Sequence, residues 1–167
     1  MKHAVIEDAS VELLELFDDV GKEARIEKTA IPPINKMIYW WTRKPLIVGR
    51  AMALASTLDN IEDVKSLLGL NTENRAYKYI PDKTIFAKKL GIDPKEIQVL
   101  DPFGGAGNLV FPAVELGLDV SISDYNPLAY LIEKSVLEFP QKYGVNMSAD
   151  IKKYGEQVIK KTNDEIL

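Results

Sequence analysis

A glycine-rich loop between two short apolar runs constrains the fold of this chain more than any other feature. The first run, IQVLD, begins at Ile97 and ends in an acid, and PFGGAGN follows it directly. An apolar stretch of helical character, LVFPAVEL, then leads to a second run, DVSISD, which again ends in an acid. Short apolar runs bounded by turn residues are typical of buried strands, and a helix between two of them joins parallel strands. The order therefore predicts an α/β unit made of strand, glycine loop, helix and strand.

Helical patterns flank this unit on both sides. We expect an N-terminal helical region over residues 1–96, the strand–helix–strand unit over 97–140 and a C-terminal helical tail over 141–167. In the first region Ser10 is predicted to cap a helix that stops at Gly21.

Two prolines and a threonine give further local expectations. Thr42 is a plausible N-cap, and Pro45 suits the first turn, of a helix that is rich in Leu, Ala and Met and should be largely buried. Residues 59–96 predict two short polar helices. Pro112 lies inside the helix predicted after the glycine loop, so that helix is expected to start late or to kink.

The glycine loop and the acid that ends the second run predict a nucleoside-type cofactor site. Gly104, Gly105 and Gly107 let backbone N–H groups approach a ligand closely, and a helix N-terminus beside them favours a negative group. Asp124 follows about twenty residues later, where a carboxylate can accept both ribose hydroxyls. No Gly-Lys-Ser/Thr follows the glycines, which disfavours a nucleoside triphosphate. The alternative is a tight turn with an ordinary capping aspartate.

The composition excludes several classes of site and of surroundings. The chain has 167 residues with no cysteine and one histidine, which excludes disulfides and thiolate chemistry and argues against a structural zinc site. No metal ligand is predicted. The most apolar stretch is interrupted by Arg50 and is too short to span a bilayer, and the N-terminus has no apolar signal core. We expect a soluble, cytoplasmic protein without membrane contact.

One basic island stands out against a formal net charge of −4. Residues 22–50 carry seven Lys and Arg against two Glu, and they contain both tryptophans of the chain, Trp40 and Trp41. A free-standing nucleic-acid binder has a more pervasive basic field. The island therefore indicates either a local nucleic-acid contact or an ordinary solvated face.

Two stretches of the chain resemble known sequence motifs. VLDPFGGAGNLVFPAVELGLDVSISDYNPLAYLIEKSVLEFP resembles the first two motifs of S-adenosylmethionine-dependent methyltransferases that act on amino groups of nucleic acids. INKMIYWWTRKPLIVGRAMALASTL is similar to the Trp-Trp-Ala-Arg-Arg-Pro-Leu signature of the DUF1156-type adenine-specific DNA methylase family. Together these stretches cover roughly residues 22–58 and 97–140. The resemblance implies a Rossmann-like class I methyltransferase fold, S-adenosylmethionine as the cofactor and nucleic acid as the substrate, with DNA adenine favoured.

The resemblance also implies roles for the residues of the glycine loop. The loop would enclose the methionine and adenosine parts of the cofactor with Asp101, Pro102, Phe103, Gly104, Gly105, Ala106, Gly107 and Asn108. Asp124 would hold the ribose hydroxyls, and Tyr125 or Asn126 would border the adenine.

The Trp-Trp-Thr-Arg-Lys-Pro segment would complete the site from the other side. Lys44 and Trp41 would close the methionine end, where a cation pairs with the carboxylate. Arg43, Trp40 and Lys36 would face nucleic acid. Both tryptophans fit a buried core equally well.

The chain departs from the family pattern in ways that limit the expected activity. Asn108 stands where the motif has Thr, and the sequence has no Asp/Asn/Ser-Pro-Pro-aromatic motif to clamp the target amino group. Two strands fall short of a complete methyltransferase sheet, and unpaired strand edges invite pairing.

We therefore predict the cofactor-binding part of a methyltransferase, with an incomplete sheet and no catalytic residue of its own. It would be inactive alone and would need a second polypeptide or a downstream segment with the catalytic motif. Self-association into a homo-oligomer would also cover the strand edges. The alternatives are a non-catalytic S-adenosylmethionine-binding regulatory subunit and a fragment of an RNA methyltransferase.

Overall fold

The computed structural model describes residues 3–36, 38–70 and 75–166, which form helices around a short parallel sheet. The N-terminal helices are α1 (Val11–Ala30), α2 (Leu46–Thr57), α3 (Ile61–Leu68) and α4 (Lys83–Leu90). They are followed by β1 (Gln98–Asp101), α5 (Phe111–Leu116), β2 (Asp119–Ile122) and α6 (Pro127–Glu133). The chain continues from α6 through a π-helical turn, Lys134–Glu138, into α7 (Phe139–Tyr143) and α8 (Met147–Ile166).

Helix α1 begins where the sequence predicts but ends much later. The Ser10 hydroxyl oxygen accepts a hydrogen bond from the Leu13 N–H at 3.2 Å, which confirms the N-cap. The predicted stop at Gly21 is wrong, because the helix runs on to Ala30. A glycine inside a helix costs only about 1 kcal/mol relative to alanine, and burial of the apolar face of α1 offsets that cost.

The start of α2 is capped by a side chain from another helix. Its first two N–H groups, at Leu46 and Ile47, donate to the Glu27 carboxylate of α1 at 2.6 and 3.1 Å. Pro45 directly precedes the helix, but Thr42 is not its N-cap, so that prediction is wrong. Glu27 is only 2% exposed, and burial raises the pKa of its carboxyl while the two N–H groups oppose the rise. The positive end of α2 thus stabilises a buried acid.

Arg50 lies in the middle of α2 and is 1% exposed. Its Nη1 donates to the carbonyl oxygens of Ala76 at 2.7 Å and Leu68 at 3.3 Å, and its Nη2 lies 3.7 Å from Oε2 of Glu115. Burial lowers the pKa of Arg50 and raises the pKa of Glu115, and the attraction between the two charges opposes both shifts. One buried side chain therefore joins α2 to the end of α3, to the turn at Ala76 and to α5.

A single cluster of buried apolar side chains extends from the N-terminal helices into the strand–helix–strand unit. Leu54 of α2 and Phe86 of α4 belong to this cluster together with Leu116 of α5. The N-terminal helical region and the α/β unit, expected as separate segments, thus share one hydrophobic core.

Strands β1 and β2 are adjacent and parallel. Val99 and Val120 lie side by side and pack against the core, whereas Leu100 on the opposite face is 71% exposed. No third strand occurs within the described residues, so both edges of the sheet are free there. A Rossmann-like class I sheet needs further strands, and that fold class stays a prediction.

The helix after the glycine loop starts late. Helix α5 begins at Phe111 with Pro112 in its first turn, which confirms the expected effect of that proline. The residues from 102 to 110 form turns and bends, so the N-terminus of α5 does not adjoin the glycines. The sequence predicted that the N-terminus of this helix would lie beside the glycines and favour a negative group, but α5 begins four residues after Gly107.

The predicted helical tail contains α8, which has no buried residue. Apolar side chains such as Ile151 and Val158 are well exposed on it. In the described part of the chain no helix combines the length and the apolar character that crossing a membrane requires.

Glu27→Ala should lower the free energy of unfolding by about 1–3 kcal/mol, because two buried N–H groups at the start of α2 lose their acceptor. Urea unfolding followed by tryptophan fluorescence measures the change. Glu15→Ala, on an exposed position of the same helix, is the matched control and should change the free energy by less than about 0.5 kcal/mol. Equal effects of the two substitutions would contradict the capping role of Glu27.

Gly49→Ala should also destabilise the fold, by about 1–3 kcal/mol. A Cβ at Gly49 would lie 2.4 Å from the carbonyl oxygen of Leu109, so the backbone of α2 or of the glycine loop would have to shift. Gly21→Ala in α1, where a Cβ meets no atom within 4 Å, should instead stabilise the protein by about 0.5–1 kcal/mol. Thermal unfolding by circular dichroism compares the two variants. A neutral Gly49→Ala would show that α2 and the loop are not in close contact.

Candidate functional site

The glycine loop between β1 and α5 is held by hydrogen bonds from its own glycines. Gly105 and Gly107 have φ of +57° and +75°, a conformation that favours glycine. The Gly104 N–H donates to the Ser123 carbonyl at 3.0 Å, and the Gly107 N–H donates to the Gly104 carbonyl at 2.8 Å. The loop is thus tied both to itself and to the chain just after β2.

Asp124 fastens the loop from the end of β2. Its Oδ2 accepts a hydrogen bond from the Gly105 N–H and its Oδ1 accepts one from the Asn126 N–H, both at 2.8 Å. These bonds, first that from Asn126 and then that from Gly105, lower the pKa of Asp124, so the side chain is a carboxylate at neutral pH. A carboxylate has about four acceptor sites, so two stay available for donors of a ligand.

Trp40 lies against the other side of the loop. A Cβ at Gly105 would lie 3.1 Å from the indole Nε1 of Trp40. A small cavity of about 90 Å³ lies at this contact, and we call it the loop pocket. Its lining comes from two distant segments of the sequence and comprises Trp40, Thr42, Arg43, Lys44, Phe103, Gly104, Gly105, Ala106, Asn108 and Leu109. The structure therefore brings the tryptophan segment and the glycine loop together.

Two buried polar atoms of the loop-pocket lining have no hydrogen-bond partner among the described residues. Asn108 is 3% exposed, and its Nδ2 donates to Oδ1 of Asn35 at 2.9 Å, but its own Oδ1 is unpaired. Arg43 donates through Nη1 to the Asn35 carbonyl, while its buried Nε is unpaired. Burial also lowers the pKa of Arg43. Since an unpaired buried polar atom costs about 1–3 kcal/mol, these atoms fit a ligand with both a donor and an acceptor.

A larger groove of about 800 Å³ adjoins the loop pocket, and we call it the basic groove. Cations and aromatic rings dominate its lining, which includes Lys28, Lys36, Tyr39, Trp40, Trp41, Arg43 and Lys44. Trp41 is 85% exposed and meets the Tyr39 ring edge-on, with 4.8 Å between ring centroids. Because Trp40, Arg43 and Lys44 line both cavities, the loop pocket and the basic groove share a wall.

The structure separates the two tryptophans in a way that differs from the sequence assignment. Trp41 was expected at the cofactor and Trp40 at nucleic acid; Trp40 contacts the glycine loop and lines both cavities, whereas Trp41 lines only the basic groove. Lys44, expected at the cofactor, lines both cavities, and Lys36, expected at nucleic acid, lines the basic groove.

The remaining predicted residues of the site lie outside the loop-pocket lining. The Asp101 carboxylate accepts a hydrogen bond from the Phe103 N–H at 3.1 Å. The Pro102 carbonyl accepts one from the Ser123 hydroxyl, just after β2. Asn126 caps α6 by accepting the Leu128 N–H at 2.9 Å. Tyr125 is fully exposed beside Asp124. These residues shape the loop and its rim rather than the pocket.

Sequence reasoning missed two residues that touch the loop. Asn35 binds Asn108 across 73 positions of sequence, and no local pattern marks it. Glu133 of α6 is 4% exposed, and a Cβ at Gly104 would lie 2.8 Å from its Oε1. The signal for Glu133 was an acid on the apolar face of LAYLIEKSVLEF.

The comparisons with known proteins give one match. Residues 17–79 match the model of a family described as a protein of unknown function, DUF1156, and this confirms the family resemblance over that segment. No curated protein and no solved structure matches the chain. The description of the family assigns no activity. Residues 17–79 are therefore similar to the DUF1156 family, and this segment, which we call the DUF1156 region, contains Trp40, Arg43 and Lys44 of the loop pocket.

Proposed function

We propose that the chain is the S-adenosylmethionine-binding part of a nucleic-acid amino-methyltransferase, with adenine in DNA as the favoured target. The observation that carries the proposal is the loop pocket, where the DUF1156 region meets the glycine loop. The sequence has no Asp/Asn-Pro-Pro-Tyr motif, so a partner polypeptide or a downstream segment would supply the clamp for the target amino group.

The unpaired atoms of the loop pocket fit the amino-acid end of the cofactor. Oδ1 of Asn108 would accept a hydrogen bond from the ammonium group, and Nε of Arg43 would donate one to the carboxylate. Lys44, which lines the same pocket, adds a second positive charge near that carboxylate. When bound, the cofactor supplies a methyl group on a sulfonium ion.

The rim of the loop fits the nucleoside end of the cofactor. Asp124 has acceptor sites beyond those that its two backbone N–H groups occupy, and these suit ribose hydroxyls. Tyr125 directly follows Asp124 in the sequence, and Phe103 lies on the loop that Asp124 fastens; both rings are highly exposed, and they would stack with the adenine.

The basic groove supports nucleic acid as the substrate class. Its cations would neutralise phosphates, and the exposed ring of Trp41 offers a surface on which an unpaired base can stack. A base in duplex DNA must leave the stack to reach a methyl donor. Because the two cavities share a wall, a base bound in the basic groove would lie next to the loop pocket.

A second candidate is a regulatory subunit that binds S-adenosylmethionine without catalysis. The missing clamp motif favours it, since the chain would then need no catalytic residue at all. The two candidates differ in one observable: a regulatory subunit changes the rate of labelled methyl transfer by a partner that is active without it, whereas the cofactor-binding part of an enzyme creates the transfer in a partner that is inactive alone.

Arg43→Met should weaken S-adenosylmethionine binding about ten- to a hundredfold, because a hydrogen bond to a charged group contributes about 1.5–3 kcal/mol. Titration calorimetry measures the affinity, and the melting temperature checks that the variant is folded. Arg25→Met lies in the same basic island, lines neither cavity and should leave the affinity unchanged. Absence of binding by the unaltered protein would refute the proposal, and equal affinities of the two variants would remove Arg43 from the site.

The two tryptophans allow the two ligands to be followed separately. In Trp41→Phe the remaining Trp40 lies on the loop, so S-adenosylmethionine should change its emission. In Trp40→Phe the remaining Trp41 lies on the basic groove, so DNA should quench its emission with a steep salt dependence, while the cofactor should not. Fluorescence titration at two salt concentrations makes both measurements. A cofactor response confined to Trp41 would contradict the placement of the cofactor in the loop pocket.

A further inference from the structure

A third cavity runs along the free edge of β2, away from the loop pocket, and we call it the β2 groove. It has a volume of about 450 Å³ and lies between β2 on one side and α6 with the π-helical turn on the other. Apolar side chains of α5, of the segment before β2 and of the turn contribute to its lining, namely Val114, Leu118 and Leu137.

The backbone of β2 presents unpaired groups to this groove. The Asp119 N–H donates to the carbonyl of Ile97, just before β1, and the Ser123 N–H donates to the carbonyl of Asp101 in β1, each at 3.0 Å. Alternate residues of a strand direct their N–H and C=O groups to opposite sides, so those of Val120 and Ile122 in between point away from β1. Within the described residues β2 pairs only with β1, so these four backbone groups have no strand partner there.

A buried carboxylate without a partner also faces the groove. Glu133 lines it and is 4% exposed, and its Oε1 has no hydrogen-bond partner within the described structure. Burial and, after it, the nearby charges of Asp124 and Asp101 raise the pKa of Glu133. Both causes disfavour an isolated negative charge at this position, and both would be relieved by a cation or a strong donor.

The charge of the lining is also negative. Asp119, Glu133 and Glu138 are acidic, and Lys134, the one cation among the lining residues, is already bonded to Glu138. Among the described residues, no group of three or more His, Cys, Asp or Glu side chains has the arrangement of a metal site. The complement of this groove is therefore basic and rich in backbone hydrogen-bonding groups.

We propose that the β2 groove takes an extended segment of a partner polypeptide as a third strand beside β2, with a Lys or Arg side chain against Glu133. Main-chain bonds to Val120 and Ile122 would give affinity, and the side chains that alternate towards the helices would give specificity. Two apolar side chains would flank the basic one and cover the apolar part of the lining. None of these arguments uses the loop pocket, so the inference stands without the cofactor.

A short peptide of alternating pattern tests the proposal on the full chain. In Thr-Val-Thr-Lys-Thr-Val-Thr the valines and the lysine share one face of an extended strand. Amide hydrogen exchange by nuclear magnetic resonance should slow at Val120 and Ile122 when this peptide is added. A peptide with Glu in place of Lys should bind about tenfold more weakly, because it meets an acidic groove. A peptide N-methylated on the edge that faces β2 should give no protection.

Variants of the protein locate the preference for the basic side chain. Glu133→Gln should abolish the preference for the lysine peptide over the glutamate peptide. Glu156→Gln on α8 removes an exposed acid that does not line the groove, and it should preserve the preference. The peptide comparison on the unaltered protein does not depend on whether either variant folds.

Three results would overturn the proposal. Unchanged exchange at Val120 and Ile122 with the lysine peptide would exclude strand pairing. Equal affinities of the lysine and glutamate peptides would remove Glu133 from recognition. Protection of the same amides that grows with protein concentration in the absence of peptide would identify a second copy as the occupant. None of these readouts measures S-adenosylmethionine, so failure here is distinct from failure of the proposed function.

Discussion

The hydrogen bonds from the start of α2 to Glu27 determine where the candidate site can form. Glu27 lies in the last turns of α1, and its carboxylate holds the N–H groups of Leu46 and Ile47. The segment between α1 and α2 is therefore anchored at both of its ends, at Glu27 and at the start of α2. Trp40 and Arg43 are on this segment. A buried carboxylate is a costly way to fix a loop, but it satisfies the helix N-terminus at the same time.

Arg50 extends this constraint to the α/β unit. Its guanidinium reaches the carbonyls at the end of α3 and at Ala76, and the Glu115 carboxylate of α5. A buried guanidinium is tolerated only where acceptors surround it, so α3, α5 and the turn are held around one point of α2. Directly before Arg50 in the sequence, Gly49 admits the Leu109 backbone of the glycine loop, which a side chain there would displace. The DUF1156 region and the glycine loop meet because α2 packs this closely.

The features that the sequence predicted are those with a local cause. Ser10 caps α1 through a residue three positions away, and Pro112 delays α5 by the shape of its own ring. The errors arise where a distant residue acts: Thr42 does not cap α2, because Glu27 already does so from 19 positions earlier. The glycine loop was recognisable from the sequence. Its contact with Trp40 rather than with Trp41 depends on the path of the segment between α1 and α2, and no sequence periodicity encodes that path.

The glycine loop is the element that both proposed binding surfaces share. A side chain at Gly105 would meet Trp40 of the loop pocket, and a side chain at Gly104 would meet Glu133 of the β2 groove. The Asp124 carboxylate accepts a hydrogen bond from Gly105 of the loop. Its negative charge also raises the pKa of Glu133. A strand partner that neutralised Glu133 would therefore also remove a repulsion from the carboxylate that holds Gly105. Because binding free energies are linked reciprocally, any effect of such a strand on ligand binding at the loop would be matched by an equal effect of that ligand on binding of the strand.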